Sequence, residues 1–162
     1  VIVTVGITGN SIMAFGDTTV LAVGEYKCTD TMQSTFRALG CADTSQFMLF
    51  TDNLYGTIKC VDDNAGCELD GESQTRGMLV DGTSGMTLTI RSITFKNMEK
   101  NNGGGIKIQD GALIQDGAIV NIELCVFFKC HAEDGEGGAI YVQNTGTTLN
   151  IYGTTFIENT SH

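Results

Sequence analysis

Three segments of the chain repeat one pattern of apolar and polar positions: LTIRSITF from Leu88, VNIELCVF from Val120 and LNIYGTTF from Leu149. In each, two apolar residues flank a polar one, a short break follows, and a Phe stands seven positions after the first apolar residue. The three starts lie 32 and 29 residues apart, and glycine-rich links with short apolar strands, GGGIKI at Gly103 and GGAIYV at Gly137, separate the copies. β-Branched and aromatic residues at period two, bounded by Gly, Asn and Asp, predict strands. Repetition at a period of about 20 to 50 residues predicts a solenoid, whose repeats bury their apolar faces only by stacking on one another.

Each turn of this solenoid is expected to hold three strands. Leu88, Val120 and Leu149 fill the first position, Phe95, Phe127 and Phe156 the second, and Ile106 and Ile140 the third, where Met78 and Val80 stand one turn earlier. Stacked in register at roughly 4.8 Å, equivalent side chains lie over one another. Phe95, Phe127 and Phe156 then form an inward aromatic ladder, with Ile90, Ile122 and Ile151 in a second column. The expected fold is all-β, a parallel β-helix of about four to five coils in a single domain spanning 1–162.

Residues 46–162 supply the regular coils, and 1–45 an irregular beginning. Placing Tyr26 and Cys28 over Ile58 and Cys60 carries the coil back to Val20. Residues 31–39 (TMQSTFRAL) break the strand pattern, with Met32, Phe36 and Leu39 on one helical face. Asp30 or Thr31 would cap this short helix and Gly40 end it, so it is the expected N-terminal cap over the open core. The link from Gln109 holds two copies of QDGA, a small duplication that lengthens one loop. After the strand at Phe156 nothing resembling a cap follows, so the last coil is expected to present an open edge, covered by further chain or by another molecule.

Composition narrows the function classes. At 162 residues, with 41% hydrophobic and 17% charged, the chain is one globular domain rather than a disordered segment. It holds 21 Gly and no Pro, as suits coils that keep donating backbone N–H groups to their neighbours. A net charge of −10 with nine Lys and Arg argues against nucleic acid and against an anionic membrane surface. No apolar run is long enough to span a bilayer. The chain begins at Val1, without an initiator Met or a signal peptide, so a processed or excised chain is expected. Six cysteines fit an oxidising compartment, and Asn159-Thr160-Ser161 forms an N-glycosylation acceptor triplet.

The run from TMQSTFRAL through FMLF, LYGTIKC, LTIRSITFKN and GGGIKI resembles the start of right-handed parallel β-helix domains of the pectin-lyase-like group. GGAI at Gly137 and FIEN at Phe156 are similar to the two short motifs repeated in chlamydial polymorphic outer-membrane proteins. The resemblance covers residues 20–162. Each short motif stands intact once, since GGGI varies the first, and Met98 and Cys130 replace the Asn expected after Phe95 and Phe127. The resemblance implies a right-handed coil and two lines of function. Enzymatic branches of the group cleave acidic polysaccharides, whereas surface-repeat branches are structural.

Hydrolysis by this group needs paired carboxylates, and elimination needs an Arg base with calcium. Asp62, Asp63, Glu68 and Asp70 form the densest acidic stretch, but they share one loop and strand, and the Asp-Asp, Gly-His-Gly and Arg-Ile-Lys hydrolase pattern does not stand in the sequence. A solvated acidic loop is the preferred reading over calcium held by Asp62, Asp63 and Asn64. Stacking would set Cys28 next to Cys60, bring Cys41 toward Cys67, and let Cys125 and Cys130 close a small loop, one choice among fifteen pairings. Zinc would require a matching partner pair for Cys130-His131; His131 and His162, in loops of adjacent coils, are expected to face solvent. Repeated Asn residues suit hydrogen bonding at corners, and the Thr residues fall on too many coil positions for a flat ice-binding array. The expected function is a non-enzymatic extracellular or cell-surface structural or adhesion module without cofactor or metal. Its expected partners are itself, other structural proteins or a polysaccharide. The alternative is a carbohydrate-active β-helix.

Overall fold

The computed structural model describes residues 2–4, 17–21, 23–27, 46–51, 55–64, 66–82, 85–110, 118–143 and 146–162. Within them every regular element is a strand, and the strands pair in parallel. One sheet runs through β1 (Ile2–Thr4), β2 (Asp17–Leu21), β5 (Tyr55–Cys60), β8 (Thr87–Arg91), β11 (Ile119–Glu123) and β15 (Thr148–Tyr152). A second runs through β3 (Gly24–Lys27), β6 (Cys67–Asp70), β9 (Ile93–Lys96), β12 (Val126–Phe128) and β16 (Thr155–Ile157). The third holds β4 (Gln46–Thr51), β7 (Arg76–Gly82), β10 (Ile106–Asp110) and β14 (Ile140–Val142), and β13 (His131–Ala132) pairs with β17 (Thr160–Ser161). From β5 onward the chain visits the three sheets in rotation and lays each pass, or rung, on the last.

The register matches the repeat. Val120 lies opposite Leu88 and Leu149, and Ile58, Ile90, Ile122 and Ile151 form one column. Ile106 pairs with Met78 and with Ile140. Inward residues of all three sheets meet in one core. Phe95 and Phe127 stack with ring centroids 4.8 Å apart, and Phe127 and Phe156 at 5.2 Å, the interplanar angle being 7° in both. The separation equals the strand spacing, so backbone pairing and ring stacking reinforce each other.

Glycine motifs and the ladder explain one another. A β-carbon on Gly77 would stand 2.5 Å from Cδ1 of Phe95, and one on Gly105 would stand 2.7 Å from Cδ1 of Phe127. Each ring therefore crosses the core and ends against the backbone that opens the third sheet. The glycine-rich link is the far wall of the aromatic slot.

Corners are made by single residues in the left-handed backbone region. Between the first and second sheets these are Ser92, Leu124 and Gly153 (φ 57°, 53° and 56°); after the second they are Asn97, Lys129 and Glu158 (φ 47°, 54° and 52°). Five of the six are not glycine, and a left-handed non-glycine residue costs about 1–3 kcal/mol unless its surroundings hold it. Backbone bonds between rungs do so: Ser92 N donates to Glu123 O at 2.9 Å, and Asn97 N to Phe128 O at 3.0 Å.

One expectation changes. Tyr26 lies opposite Leu69, not over Ile58, because β3 pairs with β6 of the second sheet. The strand stacked on β5 is β2, where Leu21 pairs with Cys60. The expected capping helix over 31–39 lies outside the described residues.

Because Phe127 is sandwiched and Phe156 covers the ladder from one side, Phe127→Ala should lose about 3–5 kcal/mol and Phe156→Ala less than half of that. Urea unfolding of both variants checks this, and equal losses would contradict the ladder's contribution.

Candidate functional site

The four cysteines among the described residues take up structural positions, with different pairings from those expected. Cys60 is bridged to Cys67, with Cα atoms 5.6 Å apart, and not to Cys28; Cys67 is thereby excluded as a partner for Cys41. Cys28 and Cys41 lie outside the described residues. In later rungs one left-handed residue separates the first sheet from the second. Here residues 61–66 are inserted at that corner, and the chain returns to Cys67, opposite Ile93. The bridge closes the neck of this inserted loop. Cys125 and Cys130 are free and buried. They sit at the two corners flanking β12, and the extended chain between them reaches on the order of 15 Å, beyond the roughly 7 Å between Cα atoms that a bridge tolerates.

Both thiols are used in stacking. Cys125 Sγ donates to Ile90 O at 3.6 Å and Cys130 Sγ to Phe95 O at 3.5 Å, each to the preceding rung. In the last rung Thr154 and Asn159 do the same: Thr154 Oγ1 donates to Ile122 O at 3.4 Å, and Asn159 Nδ2 to Phe127 O at 3.0 Å. Cys130 N also donates to Asn159 Oδ1 at 2.9 Å. The nitrogen that would carry a glycan is thus engaged in holding a corner.

The acidic stretch divides in two. Asp63 turns to Arg91 at 3.1 Å, and Arg91 also reaches Glu123 at 2.9 Å on the next rung. The Arg91 guanidinium holds the Asp63 carboxyl below its ordinary range, and those hydrogen bonds raise Arg91 in turn. Both groups are open to solvent, which screens the pair, so it adds little to stability. Beside it an open cleft of about 600 Å³ is lined by Arg91, Asn121, Glu123, Leu124, Tyr152 and Gly153.

Glu68 and Asp70 instead join Glu25 and Lys96 on the outer face of the second sheet. Lys96 Nζ lies 2.7 Å from Glu68, 3.4 Å from Asp70 and 3.7 Å from Glu25. Oxygens of the three carboxylates lie within 4.8 Å of one another, the one such trio of metal-capable groups among the described residues. An ammonium from the next rung therefore takes the position a bound cation would need. The Glu68 hydrogen bond, with Asp70 behind it, raises Lys96. Burial alone would raise Asp70, but the Glu72 amide, the Asn97 amide and Lys96 outweigh it and hold that carboxyl below its usual range. Reading the acidic residues along the sequence missed Glu25 and Lys96, because only the β3–β6–β9 register brings them together; aligning Glu25 with Glu68 would have found them.

Arg76 is buried and ties down another corner. Its Nε donates to Gly103 O at 2.9 Å, and Nη2 to Asn101 O and Asn102 O at 2.9 and 3.0 Å. Burial lowers its pKa.

The last rung carries the chief apolar exposure. Ile151 and Phe156 are 42% and 47% exposed, whereas their column-mates Ile122 and Phe127 are at 0%. Tyr152 and Ile157 are exposed beside them. Among the described residues no helix is long and apolar enough to cross a membrane.

Two outcomes follow. Burial pushes the Cys125 and Cys130 thiols up to about 11 and about 12, so at about pH 8 neither should react with a disulfide reagent until the protein is unfolded; mass spectrometry of labelled cysteines checks this. Asp70, harder to protonate folded than unfolded, contributes stability that is complete above its ordinary value of 3.8 and is lost as the pH falls through the lower folded value. Asp70→Asn should cost about 1–3 kcal/mol at neutral pH and flatten the acid limb of stability, measured by denaturation at stepped pH.

Compared with protein-family models, with curated proteins and with solved structures, the chain finds no match.

Proposed function

We propose that the chain is a right-handed parallel β-helix of pectin-lyase-like type, acting as a non-enzymatic structural or adhesion module outside the cell and associating through its last rung. The observation that carries this reading is the exposure of Ile151 and Phe156 in columns that are otherwise fully buried. The β15 and β16 edges offer backbone N–H and C=O groups in the register of the rungs below. A further strand laid on them would extend the sheets and bury the Phe156 ring face. A rung of the same width fits, which makes a second copy, or another coil of this type, the natural partner. The Cys60–Cys67 bridge suits an oxidising compartment.

A carbohydrate-active role is the second reading, and one observation favours it: Glu25, Glu68 and Asp70, from adjacent rungs, converge on one face. Against it, the Lys96 ammonium sits 2.7–3.7 Å from their oxygens, in the space that a scissile bond and its attacking group would need.

Light scattering over a concentration series tests the proposal. Mass should grow with concentration, and Phe156→Asp should return the protein to monomer with its circular dichroism unchanged. A monomer at every concentration, or a Phe156→Asp variant that associates as before, would overturn it. Cleavage of a polysaccharide that Glu68→Gln abolishes would favour the second reading.

A further inference from the structure

Strands β13 and β17 bring two histidines together one rung apart. His131 opens β13 opposite Thr160, and His162 follows β17, its amide donating to Ala132 O at 3.3 Å. Their ring centroids are 5.0 Å apart with an interplanar angle of 81°. His131 Nδ1 lies 2.8 Å from Thr160 Oγ1. With the proton on Nδ1, Thr160 accepts it, orients the ring and leaves the Nε2 lone pair available, the way a metal-ligating histidine is ordinarily held by its second nitrogen. Glu99 bridges to His131 through the backbone.

We infer that His131 and His162 form a two-nitrogen chelating site for a transition-metal dication, with water completing the coordination shell. Imidazole nitrogens suit zinc, nickel and copper, whereas calcium and magnesium prefer oxygen. One exposed histidine binds such ions weakly. A second, held one rung away, binds within the same molecule and multiplies the affinity. The bound ion would cross-link β17 to β13 and so pin the last strand to the rung beneath. The acidic trio around Lys96 is the competing cluster, but the Lys96 ammonium already occupies its centre.

Calorimetric titration with zinc, nickel, copper and magnesium chlorides at about pH 7.5 tests this site. One ion per chain should bind, copper most tightly, and magnesium should give no signal. His131→Gln and His162→Gln should each weaken binding by about tenfold or more, Thr160→Val by less, and saturating metal should raise the unfolding temperature of the parent but not of His162→Gln. Unaltered affinity in His162→Gln, or no copper binding at millimolar concentration, would overturn the assignment.

Discussion

Every rung of this protein must have the width of the rung beneath it, because parallel strands are held at one spacing along three sheets at once. The ring separations of 4.8 and 5.2 Å in the Phe95–Phe127–Phe156 ladder are that spacing expressed in side chains. A ring that spans the core needs a wall without side chains opposite it, and Gly77 and Gly105 supply the wall. A change of size at either end of this slot is passed to the rungs above and below, since close-packed interiors do not absorb it locally.

Width is conserved by placing irregularity at the corners. One left-handed residue suffices for the sharp turn between the first two sheets in the later rungs, and the earlier rung that inserts residues 61–66 there closes the insertion with Cys60–Cys67. Inward corner side chains then reach back to a carbonyl of the preceding rung, whether the donor is a thiol, a hydroxyl or an amide. A buried carbonyl at a bend would otherwise lack a partner, a loss of about 1–3 kcal/mol. Cys125, Cys130, Thr154 and Asn159 thus share a task despite their different chemistry.

The outer faces are less uniform than the core. Charge gathers on the earlier rungs, where Lys96 draws three carboxylates together and Arg91 joins Asp63 to Glu123. Apolar exposure gathers on the last rung, around Ile151, Tyr152, Phe156 and Ile157. This division separates a solvated flank from an end whose columns are ready to be continued.

The repeat period, the three-strand turn, the Phe ladder and the isoleucine column were all legible in the sequence, because inward positions recur with the coil and inward residues must be apolar. Sequence distance could not show which groups meet across rungs. Tyr26 went to the second sheet rather than the first, since a glycine turn's length does not reveal which sheet the chain enters next. Cys60 found Cys67 because an inserted loop returns to its own corner, and Glu25, Lys96, His131 and His162 acquired their neighbours from register alone. Apolar periodicity is set by burial within a single rung and so can be read residue by residue. Pairing between rungs depends on how many residues each corner absorbs, and that number is decided only when the rungs stack.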